Sequence, residues 1–130
     1  MIRITSIQQA LSLKGDIPEL AVIRSLQFMG DGYSPEEHGH IIVVQEGDDI
    51  TQIKEIGVNE YADILDCCEY VESFVDVDRV VFEVVFQLDD ARTVAVIVED
   101  APWLDADLRK VLMTASPPPT SLPQFKEVMP

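Results

Sequence analysis

Between Arg79 and Glu99 the chain reads as two apolar runs joined by a short acidic turn, and no other feature narrows the fold as much. Val80, Phe82, Val84, Phe86 and Leu88 alternate with Arg79, Glu83 and Gln87, broken only by Val81 and Val85, which predicts a strand with one very apolar face. Asp89-Asp90-Ala91 is short enough to be a hairpin connection, and the Val-rich stretch from Arg92 to Glu99 suits the centre of a sheet. A second hairpin is expected further upstream. Leu20, Val22, Leu26 and Phe28, with Ile23 between them, read as a strand over about 20 to 28. Asp16-Ile17-Pro18-Glu19 also spells a helix start, but the Gly- and Pro-punctuated loop from Gly30 to Gly39 and the β-branched run Ile41-Ile42-Val43-Val44 tip that segment towards a long-looped strand pair.

Helices are expected in three places. Ser6-Ile7-Gln8-Gln9 has capping-box spacing, with Ala10 and Leu11 following at helical offsets, which predicts a short helix over 6 to 13. Over Asn59 to Val75, steps of 100° gather Ile64, Cys67, Cys68, Val71, Phe74 and Val75 on one side and Asp66, Glu69, Glu72 and Asp76 on the other. Asp100-Ala101-Pro102 opens the last helix, with Leu104, Leu108, Val111 and Leu112 as its buried stripe. The reading is therefore α+β: an antiparallel sheet of about four strands in two hairpins, with helices packed on one face, as two layers. Residues 1 to 115 form one domain. Residues 116 to 130, with Pro117-Pro118-Pro119, form a Pro-rich arm that Phe125 and Met129 would anchor on the body or on a neighbouring subunit.

Charge then limits function. The 130 residues carry 24 Asp plus Glu against 9 Lys plus Arg, a formal charge of −15, and 47% are hydrophobic, enough for a folded core. Direct nucleic-acid binding through phosphates is disfavoured, since it needs clustered bases, and an anionic membrane surface would repel the chain. No apolar run reaches the ~20 residues of a spanning helix, and the first residues lack signal-peptide character, so a cytoplasmic location is expected. Cys67 and Cys68 are adjacent, a geometry that strains a mutual disulfide, and they read as reduced, buried thiols.

No motif assigns a catalytic residue or a cofactor, and a non-enzymatic protein is the expectation. His38-Gly39-His40 with Glu37 has the composition of a weak divalent-metal site without specific spacing. The glycines of Gly30-Asp31-Gly32 lack the lysine and the strand-to-helix context of a phosphate loop. Asp48-Asp49 and Asp89-Asp90 read as hydrated turn residues. Trp103, beside Pro102, either covers the open end of the core or anchors an interface.

The segment Asn59 to Asp78 holds seven carboxylates and no base. As a helix face, Asp66, Glu69, Glu72 and Asp76, with Tyr70 or Trp103 as apolar contacts, would dock a basic partner in the manner of an immunity protein, antitoxin or nucleic-acid mimic. The alternatives are a solvated face that only confers solubility, a small-ligand or metal-binding domain using the loop at 30 to 40, and a homodimer built on a sheet edge or the arm.

Overall fold

The computed structural model describes residues 1 to 13 and 17 to 121. In chain order these form β1 (Ile2–Ile4), α1 (Ile7–Ser12), α2 (Glu19–Met29), α3 (Pro35–His38), β2 (Gly39–Val44), a 3-10 turn (Ile50–Gln52), α4 (Asp63–Cys67), β3 (Tyr70–Asp76), β4 (Arg79–Gln87), β5 (Thr93–Glu99), α5 (Ala106–Ala115) and β6 (Thr120–Ser121). The fold is α+β, as expected. Among the described residues the strands make one sheet in the order β1-β2-β5-β4-β3-β6, so it has more strands than the four expected. It is also mixed: β2 runs parallel to β5 and β6 parallel to β3, while the other pairs are antiparallel.

The expected hairpin of β4 and β5 is present, from Val81 opposite Glu99 to Gln87 opposite Thr93. Its inward alternation holds, with Phe82, Val84 and Phe86 on one face and Val81 on the other. The first helix also forms where its cap predicted, Ser6 Oγ accepting from Gln9 N at 3.0 Å. The expected strand over 20 to 28 is instead α2. Its buried stripe is Ala21, Val22, Ser25 and Leu26, while Phe28 is 65% exposed. A small residue and a polar one complete the inward face, so apolar residues alone gave the wrong period. Without a strand there, β2 takes β1 and β5 as neighbours.

The long acidic helix does not form. α4 ends at Cys67, and Tyr70 to Asp76 pairs with β4 across a tight turn at Val77 and Asp78, with Asp76 opposite Arg79. Val71 and Val75 are β-branched and sit better on a pleated strand than on a helix, and pairing with the apolar β4 buries Val71 and Phe74. Val77 adopts φ 59, a left-handed conformation that is unusual for a β-branched residue. Cys67 is exposed and Cys68 half-buried, so the pair is not enclosed in the core as expected.

Helices cover both faces, not one. On one side Ile42, Val44, Phe82, Val84, Val96 and Val98 pack with Ile64 of α4 and Leu108 and Leu112 of α5. On the other, Ile4, Ile41, Val43, Val81, Ala95 and Ile97 pack with Ala10 of α1 and Val22 and Leu26 of α2. The two layers account for the nearly unbroken apolar sequence of β2 and β5, whose residues are buried in both directions. Close contact between these parallel strands requires Gly39: a Cβ there would lie 1.8 Å from the Thr93 carbonyl oxygen. α5 starts at Ala106 with Asp105 as its cap, later than Asp100-Ala101-Pro102 suggested, and the arm turns back along β3, where Ser73 Oγ donates to the Pro117 carbonyl at 3.0 Å. Phe125 and Met129, the expected anchors, lie outside the described residues.

Candidate functional site: a carboxylate face and an adjoining cleft

As a strand, the segment from Tyr70 onward sends Tyr70, Glu72, Phe74 and Asp76 towards α2, away from the α4 and α5 layer that Val71 joins. Glu72 lies directly opposite Glu83 of β4, and like charges so placed repel. Arg24 of α2 resolves this by donating to Glu83 Oε1 at 2.7 Å and to Glu72 Oε2 at 2.9 Å, while its guanidinium stacks 4.4 Å from the centroid of the Phe74 ring. Glu83 is 2% exposed, and its second oxygen accepts from Ser25 Oγ at 2.5 Å. Asp76 is buried, accepts from the Ala21 amide at 3.1 Å and is pushed up from the ordinary carboxylate range by that burial. The Tyr70 phenol is raised as well, by burial first and then by Glu83 and Glu72. Glu72 and Asp76 are thus engaged by α2, which their contacts tie to the sheet, and Tyr70 is half-buried near Glu83 and Glu72. Asp66 and Glu69 remain exposed, on α4 and on the link into β3.

His38, His40 and Glu37 are not drawn into one site. His38 Nδ1 accepts from the Ser34 amide at 3.1 Å with its ring beside Tyr33, His40 lies near enough to Glu55 to favour the carboxylate charge, and Glu37 is exposed. Among the described residues no group of three or more His, Cys, Asp or Glu side chains is arranged to hold a metal ion. Tyr33 is structural: its hydroxyl lies 3.1 Å from the Ile4 carbonyl and 2.9 Å from that of Gly39, and burial pushes its pKa up to about 12.

A different set of carboxylates gathers on the opposite layer. Asp105, Asp49 and Asp107 lie near enough to Tyr61 to reinforce the upward shift that burial gives its phenol. Each comes from a helix start. Asp49 caps the 3-10 turn and accepts from Thr51 N at 2.9 Å, Asp105 caps α5 and accepts from Asp107 N at 2.9 Å, and Asp107 lies in the first turn of α5. Glu60 and Asp63 flank Tyr61 in sequence, and Asp63 Oδ2 accepts from the Glu60 amide at 3.1 Å. None of these carboxylates is ion-paired among the described residues. The arginines are engaged elsewhere: Arg3 with Glu55, Arg24 with Glu72 and Glu83, Arg79 with Glu99, Arg92 with Asp90 and Arg109 with Asp100. Sequence reasoning missed this face because its members are far apart along the chain. The cap positions of Asp49 and Asp105 were the available signal.

Beside it, a cleft of about 550 Å³ opens at the carboxyl ends of the parallel strands β2 and β5. Val43, Val44, Gln45, Glu46, Glu99, Arg79, Pro18 and Trp103 line it. Arg79 Nη1 lies 3.2 Å from Glu99 Oε1, so one wall of the cleft is an ion pair. Trp103, the only tryptophan, is half-buried, packing against the core while lining the cleft. The carboxyl ends of parallel strands are where open α/β sheets commonly bind ligands, because neighbouring connections diverge there and leave a crevice. The segments that carry Glu46 and Trp103 continue into Asp49 and Asp105, so the cleft and the carboxylate face are contiguous along two chain segments. Compared with protein-family models, with curated proteins and with solved structures, the chain matches none.

Proposed function

We propose that the protein is a non-enzymatic docking module that captures a basic protein partner through the carboxylate face around Tyr61. The supporting observation is the distribution of cations. The arginines pair within the fold, whereas Asp49, Asp105 and Asp107 lie near Tyr61, Glu60 and Asp63 flank it in sequence, and none of the five makes an ion pair among the described residues. Such a field raises the association rate of a positively charged partner and repels an acidic one. Tyr61 supplies the amphipathic contact that charged interfaces use at their centre. The partner class that fits is a basic protein, such as a nucleic-acid enzyme whose phosphate-gripping surface these carboxylates would occupy. Asp66 and Glu69 extend the negative surface. Glu72 and Asp76 do not belong to it, because Arg24 and α2 engage them. A cytoplasmic setting suits the free thiols of Cys67 and Cys68.

Capture from host lysate tests this with variants matched in charge. Glu60→Lys/Asp107→Lys places the change on the proposed face, and Asp31→Lys/Glu36→Lys places the same change elsewhere. The proposal expects one basic protein to be lost with the first variant and retained with the second. Equal retention or equal loss would overturn it, since net charge alone would then govern capture.

A further inference from the structure

The cleft at the ends of β2 and β5 has the chemistry of a receptor for a single cationic group. Among its lining residues is Trp103, the residue type whose ring face attracts cations most strongly. Its charged lining is Glu46, Glu99 and Arg79, and Arg79 already has Glu99 as a partner 3.2 Å away. Glu46 makes no ion pair among the described residues and stands exposed in the turn after β2. The cleft is therefore lined by a carboxylate residue and an indole-bearing one together, in a molecule whose overall charge of −15 opposes an anion. It is an open surface cleft whose volume of about 550 Å³ is ample for one long side chain.

We infer that this cleft receives one arginine side chain of the basic partner, its guanidinium stacked on Trp103 and facing Glu46. The inference rests on the docking proposal above and adds to it a specific anchor. Arginine suits the cleft better than lysine, because a planar guanidinium stacks on an indole while still donating in its own plane to a carboxylate. The Arg79–Glu99 pair holds its wall in place and leaves Glu46 as the acceptor for the incoming cation. Around the deep anchor, the carboxylates near Tyr61 would act over longer range, as a charged rim does around an interface centre.

Trp103 reports its own occupancy, since no other indole contributes to the emission. Titration of the intact protein with N-acetyl-arginine amide, followed by Trp103 fluorescence and calorimetry, should give saturable binding, and N-acetyl-citrulline amide, its neutral counterpart, should give none. Glu46→Gln, at an exposed turn position, should keep the native circular dichroism and weaken binding of the arginine amide about tenfold, as expected for one charge-assisted contact. The inference is overturned if the citrulline amide binds equally, if Glu46→Gln binds like the parent, or if no saturable signal is seen. Should the arginine amide fail while Glu60→Lys/Asp107→Lys still abolishes capture, the docking proposal survives without its anchor. Should capture prove indifferent to that double variant while the amide binds, the cleft is a cation site and the docking face is wrong.

Discussion

Beneath α2, Glu72 and Glu83 share the guanidinium of Arg24, and Asp76 accepts from a helix amide; near Tyr61, Asp49, Asp105 and Asp107 make no ion pair among the described residues. Both regions are rich in carboxylates. In the first, a base from a distant segment converts charge into a link between helix and sheet. In the second, the acids serve helix starts and leave the rest of their field to solvent. Whether a carboxylate is structural or available to a partner is decided by where the few bases fall, and local acidity alone does not reveal it.

The largest expected effect comes from removing the shared base. Arg24→Met keeps an apolar stem against Phe74 but leaves Glu83 buried without its cation and opposite Glu72, and it should cost about 3 kcal/mol in urea denaturation. Adding Glu83→Gln should recover more than half of that loss, because the stranded charge is then gone and the Ser25 hydroxyl retains a partner. An Arg24 variant as stable as the parent would erase the distinction between the two regions.

The register that sets Glu72 against Glu83 is fixed by the turn at Val77 and Asp78, where Val77 holds φ 59. Val77→Gly removes the side chain that makes this conformation costly and should raise stability by about 1 kcal/mol, read as a higher urea midpoint with unchanged slope. A loss of stability would mean that the contacts of Val77, together with the freedom glycine adds to the unfolded chain, outweigh the strain.

The buried carboxyl of Asp76 makes stability depend on pH. Because burial raises its carboxyl in the folded state, the folded protein holds that proton more firmly than the unfolded chain. Its contribution is complete below the ordinary carboxylate range and is lost as pH rises through the raised value. Asp76→Asn should therefore gain on the parent between acidic and neutral pH in thermal melts, whereas a flat difference would contradict the shift. Asp48 behaves in the opposite way. Burial acts to raise it, but the N-terminal ammonium at 2.7 Å and the Gln45 amide hold it below the ordinary range. Its contribution is present at neutral pH and is lost as pH falls through the lowered value. The smallest stability effect is expected on the Tyr61 face, where Glu60→Lys/Asp107→Lys should stay within about 0.5 kcal/mol of the parent in the same urea assay.

What could be read from the residues divides along similar lines. β4 and β5 were legible because β4 alternates, β5 is apolar and Val-rich throughout, and a short turn joins them; α1 was legible because Ser6 caps it. α2 was hidden by Ala21 and Ser25, inward residues that carry little or no apolar signal. The stretch over 59 to 75 satisfied a helical period by arrangement of its apolar residues, and only its pairing with β4, a contact between segments, decided for a strand. The parallel contact of β2 with β5 had no local signature beyond Gly39. Of the candidate site, Trp103 was visible as a lone aromatic beside Pro102, whereas the Tyr61 face required the tertiary convergence of three helix starts.

Chemical-shift mapping of the intact protein with a short polyarginine peptide separates the two acidic regions. Salt-sensitive shifts are expected at Tyr61, Asp49, Asp107 and Glu46, with Trp103 among the strongest, and little change at Glu72, Asp76 and Glu83. Strong shifts along β3 at Glu72 and its neighbours, or uniform shifts over every exposed acid, would contradict docking through the Tyr61 face.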